Sequence, residues 1–580
     1  MTSPLINRRD IDFLLHAWLN VDDLADRATI DAILDLSEKL AAEQFLTHFK
    51  RNDVEEPRLE DGVVRVCPAI HDALKRYAAL GLFSAGFSEE QGGLGLPYVV
   101  CSAAFAFFAA ANVATAAYPM LTVANARLIA TFGSAAQFEM FARPEIEGRW
   151  FGTMCLSEPQ AGSSLADIRT KAMLEGPDEL GDRYRLIGNK MWISAGDQDV
   201  SENIVHLVLA KIPGEDGTLP EGTAGISLFI VPKILPDGSR NDVAVAGLNH
   251  KMGYRGTANC LLNFGEKGGA AGWIVGKPGD GLRQMFLMMN EARIGVGIGA
   301  AAIGYRGYML SAAYARERLQ GRAIGQRAGA PVAIIEHPDV KRMLLQQKAY
   351  AEGALALCLY CARLVDEAED AEKAALLGLL TPIAKTWPSE YGLAANDIAI
   401  QIHGGYGYTR DFDVEQLWRD NRLNPIHEGT TGIQAIDLVG RKLLGDGAGL
   451  AVLGSLIMQT VEAACATTML KSNAAALYAA WRSALDTIED LRHCERGAAL
   501  DNATAFLSAF GHIVVAWLWL DQALVAAGLN QSSAADGAFV EGKLRACRFF
   551  FECELPKVNA LLNFVASRSD VASGAPTAIF

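Results

Sequence analysis

The chain has 580 residues, of which 51% are hydrophobic and 21% charged, with a formal net charge of −15. That length supports several domains with a large buried core, and the composition excludes a disordered chain. The acidic balance counts against nucleic-acid binding through a basic face, because neutralising phosphates takes clustered Lys and Arg.

At the N-terminus, Asp10 and Asp12 fall inside what would have to be the apolar part of a signal peptide, so the expectation is a cytoplasmic protein. From residue 11 to 149, apolar residues recur at three- and four-residue spacing and predict helices. The stretch 92–126 has no charged side chain and is long enough to cross a bilayer. Pro97, Asn112, Pro119 and a high Ala, Ser and Thr content instead favour buried core helices and no membrane span. Near Phe151 the pattern changes to short β-type runs, YRLIGNKMWIS, NIVHLVLAKI, GISLFIVP and CLLNFG, separated by turns.

Helices resume at Gly281, in lengths that suit a bundle, and an Ala-rich helical region follows Gly445. Its apolar run from Thr504 to Leu520, which stops at Asp521, is read as a core helix. The final fourteen residues have the composition of a loose tail. These changes of pattern predict an α+β, mainly α chain with domains at 1–150, 151–276, 277–445 and 446–580. The ten cysteines are scattered, and Cys358 and Cys361 lack partners for a metal site, so buried free thiols are expected.

Four strings carry chemistry. In MCLSEPQAGSSLADIRTKA, small residues from Ala161 to Ser164 offer amides and hydroxyls beside a strand, suited to a phosphate or a ring edge. In GNKMWISAG, Trp192 can stack on a flat ring and Ser194 can donate to a ring nitrogen. The turn Gly404-Gly405-Tyr406-Gly407 lets backbone amides approach a ligand. A single carboxylate, Glu428, lies between His427 and Gly429 just before a helix. The glycines of ARIGVGIGAAAIG have the wrong spacing for a dinucleotide fingerprint and are read as close helix packing.

In this order, with HKMGYRGTANCLLNF and YARERLQGR between them, the strings resemble the acyl-CoA dehydrogenase family, and ARERLQGR and IEHPDVKRMLL most resemble its 3-methylmercaptopropionyl-CoA dehydrogenase-like members. The resemblance implies an N-terminal helical domain, a middle β-barrel-like domain, a C-terminal four-helix bundle and, as in the larger members, an additional C-terminal helical domain. It implies FAD as cofactor, an acyl-CoA substrate oxidised to trans-2-enoyl-CoA, electron-transfer flavoprotein as acceptor, and a homodimer. An acyl-CoA oxidase and a flavin-containing nucleic-acid-binding paralogue are the alternatives.

The family's roles carry over residue by residue. Glu428 is the base that removes the α-proton, and Gly429 beside it belongs to the substrate site. Met154, Leu156 and Ser157 lie along the flavin, Trp192, Ile193 and Ser194 cover its ring, and Thr430 is a flavin contact. Arg318, Gln401, Gly404 and Gly405 serve FAD across the subunit interface. Ser163 approaches CoA or phosphate, and Arg293, read as the start of a helix, forms the pocket floor. Acyl-chain length is expected to be decided near 116–121, where Tyr118 and Met120 stand. The sequence departs from the family at His427, where Tyr is usual, at Gly321-Arg322 and at Ser164. His427 is open both to a packing reading and to a functional one. Glu415 and Arg419 have ion-pair spacing, on a solvated face or at a subunit interface.

Overall fold

The computed structural model describes residues 5–445, 447–529 and 533–580. The chain divides into two compact units, one made of Ile30–Pro97 and Phe107–Gly295, the other of the chain up to Thr29, Tyr98–Ala106 and Val296–Phe580.

The first unit contains all the described strands. The expectation of helices over 11–149 needs one correction, a hairpin of β1 (Arg58–Glu60) and β2 (Val63–Arg65). Asp61 and Gly62 at its tip have φ of 50° and 75°, the left-handed pair that a tight two-residue turn requires. Three-residue strands that bury only Val64 leave too short an alternation to show as β periodicity.

The middle region forms β3 (Trp150–Cys155), β4 (Lys171–Asp178), β5 (Gly181–Ser194), β6 (Asn203–Lys211), β7 (Ile226–Pro232), β8 (Val243–Leu248), β9 (Asn259–Phe264) and β10 (Ala270–Ile274). Because β10 pairs with both β7 and β5, the order β10-β7-β6-β4-β5 closes on itself. β9 and β8 extend the sheet from β5, and β3 lies parallel to β6. Every residue of β6 and β7 is buried, which is why NIVHLVLAK and ISLFIVP are apolar almost throughout instead of alternating. Val205, Leu207 and Leu209 of β6 join Ile129, Phe141, Leu228 and Trp273 in one core.

The long helix Tyr98–Phe132 breaks at Asn112, whose φ of −164° and ψ of 88° are not helical. Asn112 Oδ1 accepts from the Thr115 amide and so caps the second segment, while its Nδ2 donates to Phe45 O.

In the second unit, helices Pro338–Asp366 and Ala371–His403 pack with the last part of helix Gly281–Glu317. A Cβ on Gly304 would lie 2.8 Å from Gly392 Cα, and one on Gly392 would lie 2.5 Å from Ala300 O. The glycines of ARIGVGIGAAAIG thus serve close helix contact, as the spacing suggests. Arg293 lies well inside helix Gly281–Glu317 and not at its start, because GLRQMFLMMNEA holds no breaker and continues the same helix.

Further helices follow, the longer ones described being Ala448–Cys465, Lys471–Arg492, Ala503–Gly528, Ala534–Phe549 and Lys557–Ala566. The helix that holds the apolar run Thr504–Leu520 extends to Gly528 and so includes Asp521. Asp521 is accommodated because its carboxylate accepts from Trp18 Nε1 at 2.8 Å and Thr460 Oγ1 at 3.2 Å.

Among the described residues, four helices are long and apolar enough to cross a membrane by length and composition. The most apolar window of Tyr98–Phe132 is 89% buried within the protein. Cys358 and Cys361 are free and buried, and burial pushes both thiols up.

Candidate functional site

The residues singled out from the sequence fall in two sets. Met154, Leu156, Ser157, Ser163, Trp192, Ile193, Ser194 and Arg293 belong to the β-bearing unit; Arg318, Gln401, Gly404, Gly405, His427, Glu428, Gly429 and Thr430 belong to the helical one.

In the first set, the end of β3 meets the end of β5. Met191 N donates to Ser157 O at 3.0 Å, and Lys190 Nζ donates to Leu156 O at 3.0 Å. The β5–β9 register shifts between Lys190 and Ile193, and within this bulge Trp192 takes a φ of 65°. A bulge sets two residues against one and turns a side chain out of the alternation. Ile193 is consequently buried while Trp192 is 58% exposed. Ser194 Oγ accepts from Asn259 Nδ2 at 3.4 Å.

The loop after β3 is held by Glu158, which accepts from the amides of Arg169 and Thr170, from Thr170 Oγ1 and from Lys190 Nζ. Burial alone would raise this carboxyl, but Lys190 and the hydrogen bonds outweigh it and hold the group at about 2. Ser163 is exposed on the loop so anchored. Arg293 is buried. Tyr118 is fully buried, its hydroxyl donating to Gly256 O at 3.2 Å and accepting from Ala258 N at 3.1 Å, so it fastens two segments together.

In the helical unit, helix Ala371–His403 ends at Gly404, whose φ of 61° and ψ of −137° suit glycine. The turn Gly404–Tyr408 then exposes Gln401, Gly404, Gly405, Tyr406 and Tyr408. Nothing lies within 4 Å of a Cβ built on Gly404 or Gly405, so this backbone is open to a ligand. Arg318 Cζ stands 5.7 Å from the Tyr406 ring centroid, which puts this cation beside the same turn.

Glu428 lies in the loop between helices Val414–Asn421 and Thr431–Asp437. Its φ is 52°, a left-handed conformation that few residues other than glycine adopt. Gly429 follows at 85°, and a Cβ there would lie 2.5 Å from Gln434 Nε2. That amide donates to Glu428 O at 3.0 Å and to Gly429 O at 3.4 Å, bracing the turn from behind. Thr430 Oγ1 accepts from Ile433 N, and Thr431 Oγ1 donates to Glu390 on helix Ala371–His403.

His427 is half-buried. Burial and the neighbouring Lys385 ammonium push its imidazole down to about 3, so it is neutral at physiological pH. Beneath it lie Lys385, Asn396, Asn421 and Asn424, all fully buried and all absent from the sequence reading. The signal available was the string RDNRLNP, with two asparagines three apart after a charged helix. Glu415 and Arg419 do pair, at 2.7 Å, with both side chains only 16% exposed, so the pair is not on a solvated face.

The organisation of the chain agrees with family models along almost its whole length. Residues 32–149, 153–266 and 279–444 match the N-terminal, middle and C-terminal domains of acyl-CoA dehydrogenases, and 455–576 match an acetyl-CoA dehydrogenase C-terminal-like domain. The chain belongs to the acyl-CoA dehydrogenase family. FAD is the cofactor of acyl-CoA dehydrogenases.

Among its relatives, a 3-methylmercaptopropionyl-CoA dehydrogenase of Ruegeria pomeroyi is 34% identical over 95% of this chain and 96% of its own. The broad-specificity linear acyl-CoA dehydrogenase FadE5 of Mycobacterium tuberculosis is 33% identical over 93% and 91%. Two acyl-CoA dehydrogenase structures share the fold. Caenorhabditis elegans ACDH-11 in complex with C11-CoA superposes at a TM-score of 0.75, with 21% identity over 98% of this chain and 93% of its own. The FAD complex of an acyl-CoA dehydrogenase from Bacillus anthracis superposes at 0.76, with 20% identity over 96% and 91%.

A separate cavity of about 510 Å³ in the additional helical region is lined by Leu450, Gly454, Met458, Tyr478 and Trp481. It contains none of the residues above.

Proposed function

We propose that this acyl-CoA dehydrogenase removes hydrogen from the Cα–Cβ bond of a linear acyl-CoA, with Glu428 as the base, and passes the electrons to electron-transfer flavoprotein. The observation that carries this reading is the strained placement of Glu428 and Trp192, the two side chains that the chemistry most needs to hold still. Left-handed backbone at a residue other than glycine costs energy and persists where the surroundings enforce it. At Glu428 the enforcement comes from Gln434 and Gly429, and at Trp192 from the β5 bulge.

The residues present fit FAD. An outward indole, the Ser194 hydroxyl and the amides at the β3–β5 junction suit a heteroaromatic ring edge. The open backbone of Gly404 and Gly405 with the Arg318 guanidinium suits a pyrophosphate. When bound, FAD supplies a hydride acceptor for the β-hydrogen. The chain's own part is to take the α-proton on the Glu428 carboxylate, hold the turn that carries it rigid, and shield the acyl chain from water. Because His427 is neutral, it adds no positive charge beside the base. We further propose a homodimer in which the exposed Gly404–Tyr408 turn serves the FAD of the neighbouring subunit.

A linear acyl group is common to the substrates named for three relatives that each match more than nine-tenths of the chain, the third a butyryl-CoA dehydrogenase of Syntrophomonas wolfei. An anaerobic bleaching screen of the holoenzyme across methylthiopropionyl-, straight-chain, branched and aromatic acyl-CoAs tests the reading. Bleaching by straight chains with turnover that requires electron-transfer flavoprotein is the expected result. Turnover sustained by oxygen alone, with peroxide formed, would replace it with an oxidase.

A further inference from the structure

His427 does not stand alone. Asn396 Nδ2 donates to Ile303 O at 3.1 Å, and Asn421 Nδ2 donates to Ala300 O at 3.1 Å and to Asn396 Oδ1 at 2.7 Å. Asn424 Nδ2 donates to Asn421 Oδ1 at 2.8 Å, and His427 Nε2 lies 3.0 Å from Asn424 Oδ1. All three asparagines are completely buried.

The direction of this chain is decided at its far end. Backbone carbonyls only accept, so Ile303 O and Ala300 O oblige Asn396 and Asn421 to present their NH₂ groups to the helix. The Asn421 oxygen is then left to accept, which Asn424 can satisfy only with its own NH₂. Asn424 Oδ1 therefore faces His427, and an amide oxygen pairs only with a ring nitrogen that carries hydrogen. Each carbonyl–amide link has one allowed sense, and together they assign the proton of His427 to Nε2.

We propose that His427 is a positioning residue for the reaction, locked by the Asn396–Asn421–Asn424 relay as the neutral Nε2–H tautomer and thereby fixing the peptide it shares with Glu428. The proposal rests on the reading of Glu428 as the base. Its anchorage is rigid at both ends. Lys385 Nζ donates to Asn424 O at 2.7 Å, and the amide of His427 donates to Leu423 O at 3.2 Å. The charged group that acts on the ring is the Lys385 ammonium on helix Ala371–His403, and the titratable Glu428 adjoins His427 on its own loop. Lys385 opposes a second positive charge on the imidazole, so the neutral form persists. The role asks only for a donor to Asn424 Oδ1. A glutamine amide or the tyrosine usual in the family can supply one, and leucine cannot.

The test uses holoenzyme labelled with ¹⁵N-histidine, with His427→Gln to assign the resonances. His427 is expected to show a protonated Nε2 and an unprotonated Nδ1 from about pH 5 to about pH 9, where an ordinary histidine would titrate. The opposite tautomer, or a titration centred near neutrality, overturns the proposal. In steady-state assays His427→Leu is expected to lose about 30-fold or more in kcat with KM little changed, and His427→Gln to recover about tenfold of that, the split that a misplaced base produces. Equal losses in the two variants also overturn it. If Glu428→Gln keeps its turnover, the base assignment fails, while the tautomer and its pH independence are still read directly from wild-type protein.

Discussion

Glu428, half-buried, and Glu145, completely buried, show how differently two carboxyls behave. Glu428 stands in a braced left-handed turn, and its worth lies in accepting a proton. Glu428→Gln keeps the size and polarity of the side chain but removes basicity, so FAD content should be unchanged while turnover falls by about 10³-fold or more. Anaerobic bleaching by an active acyl-CoA checks this, and an undiminished rate would sink the assignment. Glu145 is completely buried with no hydrogen-bond partner on either oxygen, and burial raises its carboxyl well above the ordinary range. A raised folded pKa means that stability is full below the unfolded value of 4.5 and is lost as pH rises through the folded one. Glu145→Gln should therefore raise Tm, and the gain should grow between about pH 5 and about pH 8, as scanning calorimetry at several pH values would show.

At the scale of elements, the site depends on junctions more than on single strands or helices. The β3–β5 junction is pinned by Glu158 and Lys190, 2.9 Å apart with side chains 3% and 0% exposed. Such a pair is costly to bury and more costly to break, because one partner is left as a bare charge. Glu158→Gln is expected to destabilise the protein by about 3–5 kcal/mol in chemical denaturation. It should also free the loop that carries Ser163, visible as new proteolytic cleavage between Pro159 and Arg169. Wild-type resistance to cleavage there in the variant would show that other contacts hold the loop. The Trp192 bulge belongs to the same junction, since the Met191 amide binds Ser157 O. Loosening one element should therefore disturb the other.

At the scale of the whole chain, the two ends meet in the interior of the helical unit. Lys543 of helix Ala534–Phe549 pairs with Asp10 near the N-terminus and, at 3.0 Å, with Glu352 of helix Pro338–Asp366. Its ammonium also lies 5.0 Å from the Phe13 ring centroid and 5.2 Å from that of Trp519. Burial and Glu352 push Asp10 up, whereas Lys348 and Lys543 outweigh burial and hold Glu352 down. One cation thus joins the first described helix, the bundle and the additional C-terminal region. Lys543→Met should leave Asp10 without its charge partner and lower Tm markedly. Adding Asp10→Asn should restore part of the loss, because Glu352 keeps Lys348. Thermal unfolding of both single variants and the double variant measures that coupling, and strictly additive losses would show that the groups do not act together.

Much of this was legible in the residues alone. The β insertion, the long helices, the turn at Gly404, Trp192 and Glu428 are written in local patterns, because periodicity, glycine and small-residue strings act over a few neighbouring positions. Family resemblance then attached roles to them. The hairpin at Asp61 and Gly62 and the place of Arg293 inside its helix do not show in the sequence, since three residues are too few to show a period and an unbroken helix has no internal landmark. What only the tertiary structure decided is non-local. The amide relay joins Ile303, Asn396, Asn421, Asn424 and His427 from three separate segments. Lys543 meets Asp10 across more than five hundred residues of sequence. The sense of a hydrogen-bond chain and the partner of a buried charge depend on which groups close packing brings within about 3 Å, and no spacing along the chain encodes that distance.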